Sequence, residues 1–146
     1  MLLRYLFPKK EKHTPRRKPS AYPINPATLG DHIRKVRLDR HLFQEDIAKL
    51  FKVSTDTIRN WEMNRYTPHV SYYKDILNFL GYYPFDHDTG TIPGQIMKYR
   101  FIHGLTHRQM GRKVAVNAST IAAWEAGENK PTESSLNKLE RLLNIK

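Results

Sequence analysis

Apolar residues recur at helical spacing in two long stretches of the chain, with polar turns between them. Leu29, Ile33 and Val36 share one helical face, and Ile47, Ala48 and Phe51 share a second. Ile58 and Trp61 make a third, and Tyr73, Ile76, Leu77 and Leu80 a fourth. The scheme then returns as Ile92, Ile96 and Tyr99, as Met110 and Val114, as Ile121 and Trp124, and as Leu136, Leu139, Leu142 and Leu143. No run alternates apolar and polar residues in the manner of a strand. The pattern predicts an all-α chain of two small helical bundles, and Ser54 is a good N-cap for the third helix of the first.

The two stretches are copies. A shift of 63 residues lays Leu29–Leu80 on Ile92–Leu143 without a gap, and twelve positions are then identical. Among them are Arg37 with Arg100, Trp61 with Trp124 and Glu62 with Glu125, and both tryptophans of the chain take part. A self-match at one fixed offset marks an internal repeat. It divides the chain into an N-terminal arm at 1–28, a first repeat at 29–80, a linker at 81–91 and a second repeat at 92–146. The arm holds five of the nine prolines, and residues 1–25 carry seven Lys or Arg against Glu11 alone. Such a segment buries no core and reads as a disordered or extended basic arm.

Charge adds a partner to this picture. The 25 basic and 14 acidic residues leave a net charge of +11, and a surplus of that size points to a nucleic acid. With no cysteine there are no disulfides, thiolate metal sites or cysteine nucleophiles, which suits a reducing cytoplasm. No apolar run approaches a membrane span, and the early basic cluster reverses the charge order of a secretory signal. Phosphate loops, nucleophile elbows and metal-hydrolase motifs are missing, so neither catalysis, nor a cofactor, nor a small-molecule substrate is expected. His103 and His107 have the spacing of paired ligands, but Gly104 separates them at a helix boundary, and no metal site is expected there. The aromatic residues of the linker, Tyr82, Tyr83 and Phe85, are expected to pack against a neighbouring helix.

Only Lys52 and Val53 separate the second helix from the Ser54 cap of the third. So short a connection forces a steep crossing and demands a small residue on the inner face of the second helix. Ala48 stands there in the first repeat and Gly111 in the second. The third helix then projects its first turn outward, as a recognition helix does. The run Gln44-Glu45-Asp46-Ile47-Ala48, then Val53 to Glu62, then Pro68, resembles the Cro and lambda-repressor (Xre-type) helix-turn-helix family. The second copy resembles it through Leu105, Met110-Gly111, Val116, Thr120-Ile121, Trp124-Glu125, Gly127 and Pro131. The resemblance implies that Gln44 holds a backbone phosphate and that Ser54, Thr55, Asp56 and Asn60 face base edges. It further implies that Arg59 and Arg65 lie near phosphates. Arg37 with Glu62, and Arg100 with Glu125, are implied to be internal salt bridges between the first and third helices.

The exposed faces of the copies differ. At the positions of Thr55, Asp56, Arg59 and Asn60 the second repeat has Ala118, Ser119, Ala122 and Ala123, and Gln44 is replaced by His107, followed by Arg108. Asparagine reads adenine with both ends of its amide, aspartate accepts from cytosine, and a threonine methyl suits thymine; alanine offers a base little beyond a methyl contact. The second repeat nevertheless carries +5 against +2 for the first, so His107 and Arg108 are expected to serve phosphates, which position without specifying sequence. The expectation is a sequence-specific regulator of double-stranded DNA. Its first repeat reads, while its second supports it through phosphates, a protein partner or a second copy. Two rival readings are an antitoxin-like or assembly module and an accessory DNA-binder of a mobile element.

Overall fold

The computed structural model describes residues 22–145, so most of the expected arm lies outside the described residues. From Tyr22 to Thr28 the chain is free of helix, and the Tyr22 hydroxyl donates to Asp39 Oδ1 at 2.6 Å. The described residues form eight α-helices and no strand. They are α1 (Leu29–Asp39), α2 (Gln44–Phe51), α3 (Thr55–Glu62), α4 (Tyr73–Leu80), α5 (Ile92–His103), α6 (His107–Val114), α7 (Ala118–Glu125) and α8 (Glu133–Leu143), with a 3-10 turn at Val70–Tyr72 before α4. Among the described residues no helix is long and apolar enough to cross a membrane.

The 63-residue offset governs the backbone as well as the side chains. Helices begin at caps Thr28, Phe43 and Ser54 in the first repeat and at Thr91, Thr106 and Asn117 in the second. Left-handed residues end the turns at His41, Lys52, Asn64 and Gly81, and again at Gly104, Ala115, Gly127 and Asn144. Each of these eight positions has its partner 63 residues away. A left-handed residue closes a helix by letting its own N–H reach back to the last turn, which satisfies carbonyls that would otherwise lack a partner. In the α2–α3 turn Val53 N donates to the Ala48 carbonyl at 3.0 Å, and in the α6–α7 turn Val116 N donates to the Gly111 carbonyl at 2.9 Å.

Contacts divide the chain into two compact units. The first contains the described residues up to Pro68 together with Asn78–Tyr83, and the second contains His69–Leu77 together with the described residues from Pro84. The unit boundary therefore falls inside α4, not at the repeat boundary. In the first unit α3 packs on α1 and α2 over buried Ile33, Ile47, Phe51, Ile58 and Trp61. The Phe51 ring meets Trp61 at 6.3 Å and the edge of Phe79 at 5.8 Å. Gly30 lets α1 close on the end of α3: a Cβ there would lie 1.9 Å from the Trp61 carbonyl oxygen.

In the second unit Ile96, Met110, Val114, Ile121, Trp124 and Leu139 form the core, with Leu105, Val116 and Leu142 packed around it. Each fully buried aliphatic side chain of this kind contributes roughly 1.5–3 kcal/mol. Tyr73 stacks on Phe85 at 5.4 Å, and Phe85 meets Phe101 at 4.7 Å. The segment 81–91 thus carries an aromatic side chain packed on a helix, and its far end is shaped by Asp88, whose carboxylate accepts from Gly90 N at 2.8 Å.

Candidate nucleic-acid interface

The α2–turn–α3 unit presents α3 by burying one side of it. Ile58, Trp61 and Glu62 face inward, which leaves Ser54, Asp56 and Arg59 exposed, with Thr55 and Asn60 half-buried at the margin. Ser54 Oγ accepts from Thr57 N at 3.1 Å and lies 2.9 Å from Thr57 Oγ1, so this hydroxyl is engaged in capping the helix. Asp56 and Arg59 pair one turn apart at 3.1 Å, with side chains 79% and 54% exposed. A pair so open to water is worth less than ~1 kcal/mol and separates readily. Arg65 Nη1 donates to Asn60 Oδ1 over 3.4 Å, which loosely ties the loop after α3 to the asparagine.

Behind this face lies a buried carboxylate with three donors. Arg37 Nε and Nη2 donate to the two oxygens of Glu62 at 2.5 and 2.8 Å, and its Nη1 donates to the Leu42 carbonyl at 2.9 Å. Gln44 Nε2 adds a bond to Glu62 Oε2 at 2.9 Å. A primary amide has two N–H bonds, so Gln44 is oriented by one and keeps the other. The second repeat reproduces the arrangement. Arg100 donates to Glu125 at 2.7 and 3.0 Å and to the Leu105 carbonyl at 3.2 Å, while His107 Nε2 lies 2.9 Å from Glu125 Oε2. Each triad locks the first helix of its repeat to the third and aims the first residue of the second helix.

Comparison with known proteins agrees with this geometry. The helix-turn-helix family, in its Cro/C1 type, matches residues 33–87 and 96–146. The chain belongs to that family, twice over. No curated protein matches it, and no solved structure does. Helix-turn-helix proteins of this type are DNA-binding regulators, and the family is not an enzymatic one.

The second helix-turn-helix copy differs from the first at its surface. Helix α7 opens with Ala118 and Ser119 and continues with Ala122 and Ala123, and its cap residue Asn117 makes no side-chain capping bond. Arg108, Arg112 and Lys113 are exposed on α6. His103 closes α5 with its Nδ1 against the Tyr99 carbonyl, whereas His107 opens α6 beside Glu125, so the two imidazoles have separate partners.

Three features escaped the reading of motifs. The partnership of Gln44 and His107 with the buried glutamates was one, because spacing along a chain does not reveal rotamers. Another is a polar knot at the start of α1. Thr28 Oγ1 donates to Asn64 Oδ1 at 2.6 Å and Asn64 Nδ2 to Asp31 Oδ1 at 2.9 Å, while Asp31 Oδ2 caps Ala27 and Thr28. Burial works to raise the Asp31 carboxyl, but the bonds from Asn64, Ala27 and Thr28 outweigh it and hold the group below its ordinary range. The Thr28-x-x-Asp31 spacing, a capping box, was its signal. The last is a set of exposed apolar side chains bordering the motif, Phe43, Met63 and Tyr66. Phe43 stands where a capping hydroxyl is usual, and the second copy has Thr106 there.

Proposed function

We propose that the chain is a sequence-specific regulator of double-stranded DNA whose two copies have divided the work. In this reading Thr55, Asp56 and Asn60 of α3 read base edges from the major groove, with Ser54 at the rim. Gln44, Arg59 and Arg65 bind phosphates beside them. The second copy adds phosphate contacts through His107 and Arg108 and reads little. The observation that carries this is a matched scaffold with unmatched faces. The caps, left-handed turns and buried triads recur at one offset, whereas the outward side chains pass from polar on α3 to alanine on α7.

Binding-site selection by the full chain on random duplexes tests the reading. An enriched motif whose informative positions blur in the Asn60→Ala protein is the expected result; recovery of no motif sinks it. The alanine face of α7 also supports a second reading, in which the second copy docks on a protein. Footprinting decides between them. Replacing His107 and Arg108 together by alanine should shorten the footprint or weaken binding on specific and random DNA alike, and an unchanged footprint and affinity would favour docking.

A further inference from the structure

The two triads differ in one residue, and that residue changes what the site can donate. The Glu125 side chain is only 5% exposed, and Arg100 engages both of its oxygens, so it stands as a carboxylate that only accepts hydrogen bonds. The His107 nitrogen facing it, Nε2, must therefore carry the hydrogen. In a neutral imidazole the other nitrogen, Nδ1, is then a bare lone pair, which repels a phosphate oxygen. Gln44, by contrast, gives one N–H to Glu62 and keeps a second at every pH.

We infer that the second repeat grips a DNA phosphate through His107 only when the imidazole is protonated on both nitrogens, so that this repeat holds DNA in a proton-dependent way and the first does not. This rests on the proposed reading that the second repeat touches phosphates. Uptake of one proton at Nδ1 turns the lone pair into an N–H donor; Nε2–H stays on Glu125, and no other bond changes. Glu125 from α7 faces the imidazole, and Arg100 from α5 shares that carboxylate. Along α6 itself the charged groups are the exposed cations Arg108, Arg112 and Lys113. On α5 His103 is turned to the Tyr99 carbonyl. On α8, which packs against α6, Glu133, Lys138 and Arg141 line a separate exposed groove, and Glu140 is half-buried.

The test compares the full chain with its His107→Gln form on a labelled random duplex of about 30 base pairs, roughly three helical turns. Affinity is measured from pH 6 to 8.5 at several salt concentrations. The parent should lose affinity as pH rises, by up to about tenfold per pH unit for one linked proton. Its log–log salt slope should be steeper by about 0.9 at pH 6 than at pH 8.5, the share of one phosphate. The His107→Gln protein should lack this linked proton, so its affinity should fall less with rising pH than the parent's and its salt slope should not share the parent's extra steepening at pH 6. The other six histidines act equally in both proteins and cancel in the difference. Equal pH dependence and equal salt slopes overturn the inference while leaving DNA binding intact, and absence of binding at every pH overturns the DNA reading with it. Circular dichroism checks folding. Should His107→Gln unfold, the reciprocal Gln44→His decides: it must gain a pH dependence that the parent's first repeat lacks, and failure to gain one overturns the inference.

Discussion

The first repeat carries +2 and a polar third helix; the second carries +5 and an alanine-rich one, on the same succession of caps and turns. Their divergence has a clear boundary. Residues that set backbone direction or fill the core remain matched, as with Ile33 and Ile96, Trp61 and Trp124, or the eight left-handed positions. The outward residues of α3 and α7 do not. Even within the matched set the chemistry has shifted. The α2–α3 turn accommodates the Cβ of Ala48, but at Gly111 a Cβ would lie 2.4 Å from the Val116 carbonyl oxygen, so the second turn is drawn tighter. A duplicated scaffold holds its frame under packing constraints and leaves its surface free to specialise.

The largest effect should come from breaking the triads. Arg37→Met leaves Glu62 buried with only the Gln44 amide, and destabilisation on the order of 3 kcal/mol is expected from an unpaired buried charge. Arg100→Met should cost less near pH 6, because His107 can take up a proton and become a cationic partner for Glu125, as Gln44 cannot. Chemical denaturation of both variants at about pH 6 and 8 measures this difference, and equal losses at both pH values would refute the asymmetry between the triads.

Next in size is Gly30→Ala. Its added methyl meets the Trp61 carbonyl oxygen, a backbone atom with little room to yield, and ~1–3 kcal/mol of stability should be lost. The equivalent position in the second repeat is Pro93, which has a Cβ, so this close approach belongs to the first repeat. A Gly30→Ala protein that melts with the parent would show that α1 can move off α3 freely.

On function, Asn60→Ala should weaken binding to a selected site by ~1–3 kcal/mol and binding to random DNA much less. Ser119→Ala in α7 should leave both unchanged. Titrations of the two variants against both duplexes give the comparison; equal losses for Asn60→Ala on the two duplexes would remove it from base reading.

Acid sensitivity should be the smallest effect and should belong to the first unit. Burial lowers the affinity of His32 for a proton, with Asp31 working to raise it and Lys35 to lower it, and its Nδ1 lies 2.7 Å from the Tyr82 hydroxyl. A depressed histidine is protonated more readily in the unfolded chain, so its stabilisation is complete above about pH 6.5 and is lost as pH falls from there through the lower folded value. Asp31, held below its ordinary range, adds a second loss below about pH 3.9. The second repeat has Gln95 and Gly94 at these positions. Thermal melts of His32→Gln should depend less on pH between about 7 and 5 than those of the parent.

Much of this architecture was legible in the sequence for a physical reason: short amphipathic helices bury one stripe, and the stripe recurs. The eight helices and the tight turn before Ser54 follow from period and spacing, whereas the paired arginines and glutamates were implied by the family resemblance. The division of α4 between units was not legible, because Tyr73, Ile76, Phe79 and Leu80 are all buried and an apolar stripe does not name the neighbour that covers it. Nor were the partners of the expected contact residues. Ser54, Asp56, Asn60 and Gln44 read as outward polar groups, yet each has a hydrogen bond within the protein that spacing did not disclose.

One of those bonds bears on how the protein searches. Asp56 and Arg59 cancel each other at the exposed tip of α3, so the tip adds no net attraction toward the DNA backbone. On an unsuitable sequence it can stay closed on itself, and the carboxylate keeps the helix from settling against phosphates. Under the proposed division of work, dwell on arbitrary DNA would come from the cations of the second repeat while the first repeat samples. Under the proposed reading the pair opens at little cost, being worth less than ~1 kcal/mol, and on a suitable site Asp56 turns to a base while Arg59 turns to a phosphate.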